Sequence, residues 1–223
     1  MRRGEIAEGE YYHVYNRGVD KRRIFLDDRD RWRFMTLLCI FQGNGIVPNL
    51  RRAVSLVQHS MLNDGTLQRV LSKRIVTLLS FCLMPNHFHI MLRSETADGI
   101  SRYMQRLGNA YTKYFNMRNG RTGHLFGSRF RCIRIDRGEY FSYLSAYIHL
   151  NPRELESWRG REDTYPWSSF RDYLVGNRWG PFLDSSVIRG QFKDPADYRS
   201  FVDGCNVKDV FLGDHRFDHI DLA

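Results

Sequence analysis

The order of apolar and breaking segments predicts an α+β fold. It is a ferredoxin-like βαββαβ sheet with helices packed on it, a further helix following the last strand, and a C-terminal extension. Three observations predict it. Two strand-like apolar runs, at 74–84 and 87–93, are separated only by Pro85-Asn86, as in an antiparallel pair with a tight connection. A helical pattern lies on each side of that pair. A strand-like, arginine-interrupted stretch at 126–135 then precedes a last helical pattern.

The elements follow in order. Residues 11–16 are aromatic and β-branched and end before Gly18, which reads as a first strand and its turn. Asp27 or Asp28 can cap a helix running to about Phe41, with Phe34, Leu37, Leu38 and Phe41 at helical spacing. Residues 42–72 are broken by Gly43, Gly45 and Pro48 and read as an insertion, with 53–57 a helix candidate inside it. Residues 74–84, rich in Val, Leu, Ile and Phe, form a buried strand, and 87–93 alternate as the next. Residues 96–117 carry Ile100, Met104, Leu107, Tyr111 and Tyr114 along one helical side, and Asn119-Gly120 ends that helix. After the strand at 126–135, residues 137–150 form a helix that Asn151-Pro152 closes, because proline cannot continue the ladder. The expected organisation is a domain over 1–173, containing the 42–72 insertion, and an extension over 174–223 whose role the sequence does not reveal.

Composition narrows the class. A 223-residue chain that is 42% hydrophobic can build a sizeable core. No apolar run approaches the ~20 residues that span a bilayer, and Met1-Arg2-Arg3-Gly4-Glu5 has no apolar stretch behind it. No membrane association is expected, and a cytoplasmic location beside DNA is. Lys and Arg number 34 against 25 acidic residues, a net charge of +9 that favours a polyanionic partner. Cys39, Cys82, Cys132 and Cys205 form no CxxC pair, so reduced thiols are expected rather than a zinc site or disulfides.

Two short motifs carry chemistry. In Met84-Pro-Asn-His-Phe-His-Ile-Met-Leu92, His87 and His89 sit at i and i+2 of a strand and so share a face. Two such imidazoles can hold one divalent cation; the other reading is a pair of half-exposed strand histidines. In Tyr147-Ile-His-Leu-Asn151, the tyrosine and asparagine are one helical turn apart on one side. Asn151 can then offer an oxygen ligand beside the Tyr147 hydroxyl, a nitrogen–oxygen mix suited to Mg²⁺ or Mn²⁺. The other reading is a core-edge tyrosine and a helix-ending asparagine. Arg118, Arg121, Arg129, Arg131, Arg134 and Arg137, with Phe126 and Phe130 among them, suggest a nucleic-acid surface. Arginines alternating along a strand can share one face and track phosphates while aromatics stack on unpaired bases. A solvated basic edge strand is the alternative.

The histidine pair, the Tyr-x-x-x-Asn-Pro helix after an arginine-rich strand, and the later Tyr165-Pro-Trp-Ser-Ser-Phe-Arg-Asp-Tyr173 segment, in that order, resemble the REP-associated tyrosine transposases. These are relatives of insertion-sequence 200-like transposases in the single-tyrosine HUH class. The resemblance covers roughly residues 11–173. It implies that His87, His89 and Asn151 ligate the metal and that Tyr147 is the nucleophile, leaving a 5′-phosphotyrosine link and a free 3′-hydroxyl. It also implies single-stranded or hairpin DNA as the substrate, cut and rejoined by a transposase. Tyr143 lies one turn before Tyr147, but only Tyr147 has an asparagine four residues later. Metal-bound water, solvent or His149 could take the phenolic proton, but His149, two residues after Tyr147, faces away from it on a helix and reads rather as a structural residue or a DNA contact. A non-catalytic nucleic-acid-binding protein with the same fold is the rival reading. For the assembly, a monomer is expected, although some relatives exchange helices in dimers.

Overall fold

The computed structural model describes residues 6–45, 71–135 and 138–205. Most of the expected 42–72 insertion, with its helix candidate at 53–57, lies outside them.

Four strands form one antiparallel sheet: β1 (Tyr11–Arg17), β2 (Val76–Met84), β3 (His87–Ser94) and β4 (Arg131–Ile135), in the order β2-β3-β1-β4. That order is the ferredoxin-like arrangement the sequence predicts. Alternation along each strand divides the sheet into two faces. On β3, Phe88 points to one face and meets Phe34 of α1 (Asp28–Ile40) at 5.0 Å between ring centroids. The same face is covered by α2 (Gly99–Arg118), whose Tyr103 and Tyr111 hydroxyls donate to the Leu38 and Ile24 carbonyls. The opposite face carries His87 and His89 and is covered by α3 (Glu139–Leu150), with Phe141 edge-on to Tyr11 at 4.7 Å.

Local chemistry sets the helix ends. The Asp27 carboxylate accepts from the Asp30 N–H at 3.2 Å and caps α1, as the acidic pair at 27–28 predicts. At the start of α2 the backbone runs so close to Ile75 that a Cβ on Gly99 would stand 2.1 Å from its carbonyl oxygen, so only glycine fits. Gly138, at φ 112°, turns the chain into α3.

The two sheet edges differ. The β2 edge is covered by the segment after α3. There Leu83 N–H donates to Trp167 O, Ser169 N–H to Phe81 O, and Asp184 N–H to Leu78 O. The Tyr165 and Tyr173 hydroxyls, both from the motif singled out above, donate to the Leu83 and Leu79 carbonyls at 2.7 Å. Covering an edge in this way removes a template for aggregation. Further on come α4 (Phe170–Leu174), α5 (Ser186–Arg189) and α6 (Pro195–Gly204). Asp194 caps α6, and the fully buried Tyr198 ties it to α3.

The opposite edge, β4, is short. The strand begins at Arg131, not at Phe126 as the sequence suggests. Residues 124–130 instead turn over the end of β1: Phe126 bridges Gly18, Gly127 N–H donates to Arg17 O, and the Asn16 amide donates to Ser128 O. These contacts tie the loop to the end of β1 rather than into a regular ladder, so continuous strand pairing starts only after them.

Candidate functional site

The site forms where the centre of the sheet meets α3. Tyr15 stands opposite His89 in the β1–β3 register, and Arg17 opposite His87. The His87 and His89 rings lie 5.0 Å apart and nearly perpendicular, as neighbours at i and i+2 can. Tyr147 of α3 presents its ring edge-on to His89, with centroids 5.3 Å apart. Asn151 follows at the end of that helix, buried to 4% exposure, and its Oδ1 lies 3.4 Å from His87 Nε2. The structure thus gathers the four residues singled out from the two motifs. Tyr143 is not part of this group: it packs against Phe201 of α6 at 5.2 Å.

Hydrogen bonds fix the direction of each donor atom. The Asn86 side-chain N–H donates to the Lys21 carbonyl at 3.2 Å, which turns Asn86 Oδ1 toward His87 Nδ1 at 2.7 Å. A carboxamide oxygen only accepts, so His87 carries its proton on Nδ1 and presents a lone pair at Nε2. Asn151 Nδ2 donates to the Tyr147 carbonyl at 2.8 Å, which turns Asn151 Oδ1 inward. With His87 neutral, two acceptors therefore face each other at 3.4 Å. A cation between them, or a second proton on His87, relieves that contact. Two ligand atoms each about 2.1 Å from one ion, at tetrahedral to octahedral angles, are about 3.0–3.4 Å apart. The donor set fits a divalent cation held by His87, His89 and Asn151. Among the described residues no cluster of three His, Cys, Asp or Glu could hold one; here the amide oxygen would be the third donor.

Burial shapes the electrostatics. It holds His89 well below the usual imidazole range, with the charges of His87, His13 and Arg17 acting in the same sense. His89 is therefore neutral at pH 7, as a metal ligand must be. Burial also pushes the Tyr147 phenol well above its usual range, and Glu154 and Tyr15 add to the shift. Without a cation the hydroxyl stays protonated.

Sequence reasoning missed His13. It is fully buried, with its Nε2 2.9 Å from His89 Nδ1, and its ring stands 6.0 Å from that of Tyr147. The signal was present: Tyr11, His13, Tyr15 and Arg17 alternate along one strand face, and pairing that strand with β3 brings the face to the histidine pair. His149 is the structural histidine of the two readings given above. It is fully buried, with Nδ1 2.7 Å from the Tyr198 hydroxyl and Nε2 2.8 Å from Ser169 Oγ, which removes it from DNA.

The arginine row does not share one face. Arg131 pairs in register with Tyr15 and so projects on the histidine side, whereas Arg134 pairs with Tyr12, projects on the opposite side, and meets Glu10 at 3.1 Å. An interval of three residues reverses direction on a strand. Arg118 is bound to the carboxylates of Asp27 and Asp30 and holds α2 to α1. Its ion pair holds the Asp27 carboxyl at about 2. Arg121 is partly buried over the Phe115 ring at 5.8 Å. Arg129 and Arg131 are exposed, and Arg137 lies outside the described residues. Phe126, Phe130, Lys113 and Arg129 line a cleft of about 890 Å³ between α2 and the 124–130 loop, on the sheet face away from Tyr147.

A family model described as "Transposase IS200 like" matches residues 46–151, a span that includes His87, His89, Tyr147 and Asn151. The chain is similar to that family over those residues. A solved structure of a REP-associated tyrosine transposase bound to a REP hairpin shares the fold, with a TM-score of 0.52 and 14% identity over 82% of this chain and 90% of that one. No curated protein is a significant match.

Proposed function

From the premise that the span bearing these four residues is similar to IS200-like transposases, we propose that the protein is a single-tyrosine DNA nickase and strand transferase of the HUH type. It depends on Mg²⁺ or Mn²⁺ and acts on single-stranded or hairpin DNA. The observation that carries this reading is the pair of acceptors, His87 Nε2 and Asn151 Oδ1, facing each other at 3.4 Å beside the Tyr147–His89 contact.

The Tyr147 oxygen attacks the scissile phosphorus. A phosphotyrosine bond forms as the bond to the 3′ oxygen breaks, and that oxygen leaves as a 3′-hydroxyl after taking a proton. The phosphate ester energy is kept in the covalent link, so the strand can be rejoined. A divalent cation on His87, His89 and Asn151 would act as a Lewis acid on the phosphate oxygens. The chain's residues do the rest. Packing against His89 orients the phenol, and the Asn151–Tyr147 hydrogen bond fixes the direction of the Asn151 amide at the helix end. Arg131, exposed on the same sheet face, supplies a phosphate contact. His149 is too deeply buried to take the phenolic proton, which passes to solvent.

A hairpin oligonucleotide with a single-stranded flank, labelled on the 3′ side of the nick, tests the proposal. With Mn²⁺ the wild-type protein forms an adduct that survives denaturing electrophoresis, and Tyr147→Phe forms none. An adduct retained by Tyr147→Phe moves the nucleophile elsewhere; salt-sensitive binding with no adduct from the wild type leaves a nucleic-acid-binding protein.

A further inference from the structure

Each histidine of the strand pair has one partner on its Nδ1. For His87 the partner is Asn86, whose oxygen can only accept. For His89 it is His13, at 2.9 Å, with the two rings stacked at 5.1 Å between centroids. Among the described residues, His13 Nδ1, itself buried, meets no polar partner. Nothing in the motifs assigns His13 a role, yet a buried imidazole with one orphaned nitrogen calls for a physical account.

A single proton occupies the His13–His89 hydrogen bond, so two arrangements are open. In the first, His13 Nε2–H donates, and His89 keeps its own proton on Nε2. That nitrogen then has no lone pair for a cation. In the second, His89 Nδ1–H donates to His13, His89 Nε2 presents a lone pair, and His13 carries its proton on the orphaned Nδ1. Passing from the first to the second moves the His13 Nε2 proton to His89 Nδ1. Water takes the proton from His89 Nε2 and returns one to His13 Nδ1, so no net charge changes. The second arrangement leaves a buried N–H without an acceptor, and a cation on His89 offsets that loss.

We propose that His13 is a positioning residue for the cation site: by accepting the His89 Nδ1–H it sets the tautomer in which His89 Nε2 can ligate. The inference rests on the metal-site reading above and deepens it. Asn86 performs the same task for His87 with a fixed acceptor, whereas His13 can accept or donate. A hydrogen bond to the far nitrogen of a ligating imidazole typically alters metal affinity about 10- to 100-fold.

Calorimetric titration of DNA-free protein with Mn²⁺ tests this. His13→Ala should weaken binding by about 10- to 100-fold, while His13→Gln, whose amide oxygen can accept, should restore most of the affinity. Hairpin binding in chelator should be the same for wild type and His13→Gln. Long-range proton–nitrogen NMR of the Mg²⁺-loaded wild type should find the His89 proton on Nδ1, and this readout needs no variant that might misfold. Unchanged Mn²⁺ affinity in a folded His13→Ala protein, or a proton on His89 Nε2 in the loaded wild type, overturns the role of His13 alone. A wild type that binds no Mn²⁺, or binds it as well after His87→Ala, overturns the metal site and this inference together.

Discussion

Two sets of buried histidines lie on opposite sides of the helix that carries Tyr147, and they differ in whether their hydrogen bonds close. On the outer side His149 belongs to a chain in which every proton finds an acceptor. Ser169 O–H can donate to His149 Nε2, His149 Nδ1–H to the Tyr198 oxygen, Tyr198 O–H to Ser145 Oγ at 3.0 Å, and Ser145 O–H to the Ser142 carbonyl at 2.7 Å. On the sheet side, His87 and Asn151 turn acceptors toward each other and His13 has an orphaned nitrogen. Residue type and burial are alike in the two sets. A closed network fastens α6 to α3; an open one calls for a ligand. Burial of histidine therefore says little about function until the lone pairs have been traced.

The sharpest way to break this comparison is His87→Ala. Removing one of two opposed acceptors should cost the fold less than about 1 kcal/mol, because no donor loses its acceptor and only the half-buried Asn86 oxygen loses a donor. The same change should lower adduct formation at least about 100-fold. A melting curve and a denaturing gel on the same sample measure both, and a collapse of the melting temperature would make the sheet-side set structural after all.

His149→Leu should behave in the opposite sense. It leaves Ser169 and Tyr198 without their shared partner and should destabilise the protein by about 3 kcal/mol in denaturant unfolding. The adduct formed per folded molecule should stay close to wild type, since His149 touches no part of the site. Loss of adduct at full stability would contradict the contrast.

Acid sharpens it further. Burial lowers His149 to about 3, whereas unfolded histidine titrates near its usual 6.5. Between these values the unfolded chain binds the extra proton, so this contribution to stability is complete above pH 6.5 and is lost as pH falls toward 3. The slope is at most about 1.4 kcal/mol per pH unit for one such group. Unfolding series at pH 7 and pH 5 should show a smaller acid loss for His149→Leu than for wild type. The smallest effect is expected from Tyr143→Phe. Its ring contact with Phe201 survives the change, so adduct yield and stability should both remain within error, as the gel and the melt would record.

The β-α-β-β-α-β-α order was legible because each strand and helix carries its own period: Phe88 between His87 and His89 reports a two-faced strand without knowledge of its partner. The start of β4 was not legible, because residues 124–130 look like strand but give their backbone groups to the end of β1. The arginine row was misjudged for a related reason. Arg131 and Arg134 are neighbours in composition, yet an odd interval sets them on opposite faces.

The sequence by itself determined the helical turn that joins Tyr147 to Asn151 and the strand interval that joins His87 to His89, since each is local geometry repeated by any helix or strand. Only the tertiary structure decided that the two pairs meet, that His13 joins them, and that His149 and Arg118 are spent on holding helices together. Those outcomes depend on strand register and helix docking, and both arise from burial summed over residues distant in the chain, which no local spacing records.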